Sequence, residues 1–161
     1  MPIDRAAILR SAEKLLQQGK LESAIAEYRR IVDEQPEDWT TANTLGDLYI
    51  RAGQNDKAVE QFVRIADHLQ RQGFLPKAAA LYKKVLRIRP DDDHALAQAG
   101  EIAASQGLLV DANAYLRSAS ERCSARGDHR GAAEIRVRLG SLDVKNFEAR
   151  RTAAYARIDL G

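Results

Sequence analysis

The sequence of 161 residues predicts an all-α chain of repeated helix pairs, and three observations carry that expectation. Glycines stand at positions 19, 53, 73, 107, 127 and 161, so that a long step (19 to 53) alternates with a short one (53 to 73) along the whole chain. An alanine follows each of the first five glycines by five residues, at Ala24, Ala58, Ala78, Ala112 and Ala132. Between the glycines, apolar residues recur three and four apart, the period of a helix with one buried face. Other landmarks recur after one long and one short step together: Tyr28 with Tyr82, Pro36 with Pro90, Gly46 with Gly100. The short step has no room for two helices, so one helix has to serve two units. The helices after Gly53 and Gly107 are the ones expected to be shared.

Taken in order, Asp4 can cap a first helix running to about residue 18, with Ile8, Leu9, Ala12, Leu15 and Leu16 as its apolar stripe. Gly19 ends it. The second helix starts near Leu21, carries Ala24, Ile25, Tyr28, Ile31 and Val32 inward, and stops at Pro36. The third carries Leu45, Gly46 and Tyr49. The fourth, from about Asn55, shows Val59, Phe62, Val63, Ile65, Ala66 and Leu69. That apolar surface is wider than a one-sided helix needs, as sharing would require. Residues 74 to 88 repeat the second helix with Ala78, Ala79, Leu81, Tyr82, Val85 and Leu86. The sixth helix, from about Leu96 to Ser105, has small residues at Ala99, Gly100 and Ala103. It is expected to pack closely and bury little area. The seventh, from about Val110 to Ala125, is the second shared helix. The eighth has Arg136 where Tyr28 and Tyr82 stood, and Val144 in place of Pro90. A ninth, from Phe147 to about Asp159, is expected to dock on the eighth through Phe147, Ala149, Ala156 and Leu160. It would then turn Arg150, Ala153 and Arg157 outward as a cap.

The run Leu45-Gly46-Asp47-Leu48-Tyr49, followed by Gly53, Ala58 and Phe62, resembles the tetratricopeptide repeat (TPR) family. The pattern of that family is L-G-x2-Y, then A-x3-F, then proline, at a period of about 34 residues. The long step between the glycines has that length. Ala42 stands where the tryptophan of that pattern falls. The resemblance implies a right-handed helical-repeat solenoid of about nine helices in a single domain. Its units span about 5–38, 39–72, 59–92, 93–126 and 113–146, with a capping helix over about 147–159. It further implies a non-enzymatic scaffold that holds an extended or helical segment of another protein in a concave groove.

By helical spacing, the groove residues are Glu13 and Gln17 of the first helix and Asn43, Asp47, Ile50 and Arg51 of the third. The fourth adds Asp67, Gln70 and Arg71, and farther on come Glu101, Ser105 and Glu121. An acid recurs at one equivalent place, as Glu13, Asp47, Asp67, Glu101 and Glu121. A row of one sign inside a concavity focuses potential and would suit a partner carrying basic groups. The same acids read equally as solvated helix faces. Some family members clamp a partner's C-terminal carboxylate with lysine and asparagine. The matching places here hold Leu9, Glu13 and Thr44, which disfavours that adaptor role.

Nothing in the sequence sets out an enzyme, and no cofactor is expected. It has no Gly-rich phosphate loop and no paired Cys or His at zinc spacing. Asp91-Asp92-Asp93-His94 reads as a helix start, with one aspartate as the cap, rather than as a metal site. Cys123, the lone cysteine, takes the inward place of Leu69 and reads as a small buried residue. One cysteine, no apolar run of membrane-spanning length and an opening Met1-Pro2-Ile3-Asp4-Arg5 without a signal layout point to the cytoplasm. A monomer is expected, without membrane contact. The alternative is a nucleic-acid-binding helical repeat. Residues 116–161 hold ten Lys and Arg against six Asp and Glu, a mild basic bias without stacking aromatics, so nucleic acid is disfavoured.

Overall fold

A computed structural model describes residues 4–143 and 145–161. Among the described residues are nine helices and no strand. They are α1 (Arg5–Gln17), α2 (Leu21–Glu34), α3 (Trp39–Arg51), α4 (Asn55–Arg71), α5 (Leu75–Ile88), α6 (Asp93–Ser105), α7 (Leu109–Ala125), α8 (His129–Leu142) and α9 (Phe147–Leu160). The chain divides into two compact units, Met1–Leu81 and Tyr82–Gly161, with the division inside α5. In the first unit α1 packs on α2, α2 on α3 and α3 on α4. In the second, α6 packs on α7, α7 on α8 and α8 on α9, so α7 meets both a preceding and a following helix.

The glycine series becomes a series of helix stops. All six glycines have φ between 72° and 82°, a conformation that costs a residue with a Cβ. The residue after each of the first five donates its N–H to a carbonyl five residues earlier, at 2.8–2.9 Å (Lys20 to Leu15, Gln54 to Tyr49, Phe74 to Leu69, Leu108 to Ala103, Asp128 to Cys123). This is the Schellman closure, which satisfies carbonyls the ending helix would otherwise leave open.

Five helix starts, those of α1, α3, α6, α8 and α9, are set by side chains. Asp4, Asp38, Asp92, Asp128 and Asn146 accept from the N–H of the residue three ahead, at 2.9–3.1 Å. Asp92 makes α6 begin at Asp93, three residues before the apolar period that suggested Leu96. The six inward residues of α6 are all buried, from Ala95 to Ala103.

The core depends on small residues facing large ones. Phe62 lies over Gly46, and a Cβ added at Gly46 would fall 2.6 Å from the Phe62 ring. In the second unit Gly100 meets Leu116, where the same addition would fall 2.7 Å from Leu116. Gly140 of α8 faces Ala153 of α9 just as closely. That last contact corrects the expectation for α9. Ala156 is buried as expected, but so is Ala153, expected to face outward, whereas Phe147 is 74% exposed and Leu160 lies at the surface. The flank that docks on α8 is the one carrying Ala153, whose methyl group lies against Gly140. Val144, the counterpart of Pro90, and Met1, Pro2 and Ile3 lie outside the described residues.

Asp38 joins cap and packing. Its carboxylate takes the Arg5 Nε at 2.5 Å and the Thr41 hydroxyl at 2.7 Å, and Arg5 also donates to the Thr41 oxygen at 3.1 Å. Burial pushes this carboxyl up, but the bonds from Arg5 and Thr41 outweigh it and hold Asp38 below the ordinary aspartate range. A carboxyl depressed in the folded state contributes stability above the unfolded value, about pH 3.9, and loses it as the pH falls through the lower folded value. Asp38→Ala should cost about 1–2 kcal/mol in urea unfolding at pH 7, the worth of a cap with its partners. The loss should shrink below pH 4. An equal loss at pH 7 and pH 3 would contradict this account of Asp38.

Candidate functional site

In the first unit, Glu13 and Gln17 of α1 are exposed. Glu13 stands near the buried Tyr28, whose hydroxyl is pushed up first by burial and then by the Glu13 charge. On α3, Asn43 and Asp47 are half-buried, while Ile50 and Arg51 lie at the surface. On α4, Asp67 and Gln70 are half-buried and Arg71 is exposed. Trp39 lies off the repeat pattern, yet the fold uses it. Its ring stacks on His68 at 4.2 Å between centroids, and the Arg64 guanidinium lies 5.6 Å from the same ring.

In the second unit, Glu101 is half-buried and takes Arg138 of α8 on both oxygens, at 3.0 Å. These bonds raise the Arg138 guanidinium further above its already high value. This acid of the row is therefore engaged within its own unit. Ser105 donates to the Ile102 carbonyl at 2.7 Å. Glu121 lines a cavity of about 250 Å³ between α7, α8 and α9, together with Asn113, Arg117, Arg136, Glu148 and Thr152. Sequence spacing did not bring that set together. Its one signal was Arg136, which stands where Tyr28 and Tyr82 are buried in the other copies. Arg136 reaches away to the Ser124 hydroxyl at 2.9 Å instead of filling the place of a ring.

The chemistry-bearing clusters are structurally occupied. Asp92 caps α6 and pairs with Arg89, while Arg122 bonds Asp91 and Asp93 and Arg126 bonds Asp93. Among the described residues, no group of three or more His, Cys, Asp or Glu side chains could hold a metal ion. No helix there is long and apolar enough to cross a membrane. In the basic C-terminal third, Arg122, Arg126, Arg130 and Arg138 are each paired with an acid of the same unit.

Two family models, both described as tetratricopeptide repeat, match residues 15–72 and 63–128. The chain belongs to the tetratricopeptide repeat family. The two TPR matches overlap over residues 63–72, within the second half of α4 and the turn after it. Among solved structures, Pseudomonas aeruginosa pilF is 16% identical, over 97% of this chain and 90% of its own, with a TM-score of 0.52. MamA from Desulfovibrio magneticus RS-1 is also 16% identical, over 98% and 93%, with a TM-score of 0.48. At this identity the pilF likeness shows the TPR fold alone. No curated protein matches the sequence. Proteins of this family are generally non-enzymatic interaction scaffolds.

Cys123 is 5% exposed, and burial, followed by the neighbouring Asp128 carboxylate, pushes its thiol up. It is held protonated at neutral pH, the reverse of what a nucleophile needs. Ellman's reagent should react with the native chain at least a hundredfold more slowly than with the urea-unfolded chain. A comparable rate in both states would contradict the burial and make Cys123 a candidate nucleophile.

Proposed function

We propose that this TPR chain is an interaction scaffold holding basic peptide or helical segments of another protein against its recurring acids, Glu13, Asp47 and Asp67 in the first unit and Glu101 and Glu121 in the second. The recurrence of an acid at one equivalent place of the repeat carries the reading. A partner with spaced lysines or arginines would complement such acids. In this reading α4 and α7 each close one TPR and open the next. Two facts support it: the family matches overlap on α4, and α7 packs on both α6 and α8. Sharing makes the acids follow the same alternation of long and short steps as the glycines, instead of one uniform step.

The members of the row differ in availability. Glu13 and Glu121 are exposed, whereas Glu101 already holds Arg138. Glu121 is set beside Arg117, Arg136 and Glu148 in a cavity wide enough for one polar side chain of the partner. The chain acts as a monomer, in the cytoplasm and without a cofactor. A buried lone cysteine suits that reducing compartment. The pairing of Arg122, Arg126, Arg130 and Arg138 with acids leaves fewer free cations for phosphates, which ranks nucleic acid below a protein partner.

Glu13→Lys combined with Glu121→Lys tests the row. Both are surface changes, expected to alter stability by no more than about 0.5 kcal/mol. Once a partner is identified by affinity capture and mass spectrometry, the double variant should bind it at least tenfold more weakly at low salt. Undiminished binding would reduce the acids to solvated helix faces.

A further inference from the structure

The cavity between α7, α8 and α9 departs from the repeat, and the earlier copies show what it replaces. One long and one short step back along the chain, Arg117, Ser120, Arg136 and Glu148 become Val63, Ala66, Tyr82 and His94. A further pair of steps back, they become Leu9, Ala12, Tyr28 and Thr40. Both tyrosines are buried, Tyr28 at 6% and Tyr82 at 0% exposure. The Tyr82 ring meets His94 edge to face, with 6.0 Å between centroids. In the third copy those two places hold Arg136 and Glu148, and a cavity of about 250 Å³ opens beside them.

The charged groups at this cavity are not engaged with one another. Arg117 and Glu121 stand four apart on α7, a spacing at which two side chains can pair. Among the described residues, however, Arg117, Glu121, Arg136 and Glu148 make no ion pair. Two cations and two carboxylates therefore line one space, with no net charge among them. Leu139 gives the lining an apolar part. Ser120, 4% exposed, brings a buried hydroxyl where both other copies have alanine. It donates to the Ala132 carbonyl at 3.3 Å, which leaves its oxygen free to accept.

We infer that this cavity binds a free aromatic α-amino acid. The carboxylate of the ligand lies against Arg117 and Arg136 and its ammonium against Glu121 and Glu148. Its ring takes the place that a tyrosine fills in the other copies. An amino acid carries both charges on neighbouring atoms, so it satisfies both pairs at once. A peptide side chain, which the same space would admit, brings one charge or none and leaves the opposite pair unmatched. A phosphate would suit the arginines but be repelled by the two glutamates. The size of the cavity, below that of a drug-sized site, fits a ligand of this class. Glu121 also belongs to the recurring acids, but no partner protein is needed here, so this inference goes beyond the scaffold reading.

L-Phenylalanine, titrated calorimetrically into the whole chain, should bind at one site per chain. Phenethylamine, hydrocinnamate and L-alanine, which lack the carboxylate, the ammonium and the ring, should each bind at least tenfold more weakly. So should N-acetyl-phenylalanine amide, which stands for a phenylalanine inside a peptide. Arg136→Tyr, which restores the residue of the other copies, should abolish binding with the helical circular dichroism unchanged. Arg117→Leu, the residue of the first copy, should weaken it at least tenfold. Glu13→Lys should leave it unaltered while weakening capture of a protein partner, which keeps the two readings apart. No saturable heat, or binding that survives Arg136→Tyr, would overturn the inference. So would equal binding by any of the four analogues; if that analogue were the amide, the occupant would be a partner's ring.

Discussion

The close approach of two antiparallel helices, with a glycine on one and a large side chain on the other, is the constraint on which the rest of this structure depends. Phe62 fills the place of the missing side chain at Gly46, and Leu116 does so at Gly100. Both large residues are almost wholly withdrawn from water. Each contact lies near the middle of its helix pair, so it sets how near the two axes come and which residues line the seam. Phe62 is fully buried, and the shape of its ring allows little local relaxation. The last pair, α8 with α9, solves the same problem with two small residues, Gly140 and Ala153.

Around these contacts the turns act as stops and the caps as starts. Gly19, Gly53, Gly73, Gly107 and Gly127 each close a helix by the same hydrogen-bond pattern, which fixes where the next helix can begin. Asp38 and Asp92 do more than cap. One binds Arg5 across from α1, and the other binds Arg89 across the turn before α6. The acidic run at positions 91–93 is thus a junction, in which arginines of α7 neutralise the start of α6. Charge that resembles a metal site in one dimension becomes a brace between helices in three.

The helices were legible because their boundaries depend on local chemistry. The glycines at the regular steps mark stops and the aspartates at 4, 38, 92 and 128 mark starts, and the return of Tyr28 as Tyr82 and of Gly46 as Gly100 made each copy a check on the other. Burial along α2 could be read from spacing alone, since its inward face meets neighbours on both sides. The orientation of α9 could not. Phe147 and Leu160 are more apolar than Ala153, so hydropathy chose them for the docking flank. In the structure the Ala153 methyl group lies against Gly140 instead. The candidate site was legible only as a list of positions. Pairing decides what each position offers, and the partner of Glu101 lies 37 residues away on α8. The cavity at Glu121 depends on an aromatic that the eighth helix lacks, which the sequence marks at Arg136 without showing the space it leaves.

If the glycine contact governs the packing, its sensitivity to a single methyl group is the most direct measure of it. Alanine in place of a mid-helix glycine gains about 0.5–1 kcal/mol from backbone entropy. Overpacking a tight core contact costs about 1–3 kcal/mol. With the added Cβ 2.6 Å from a fully buried ring, the second effect should win. Urea unfolding of Gly46→Ala, followed by circular dichroism, should show a net loss of stability. Part of that loss should be recovered when Phe62→Leu is added. A Gly46→Ala chain more stable than the parent would mean that α3 and α4 have room to spare, and the account would be wrong at its centre.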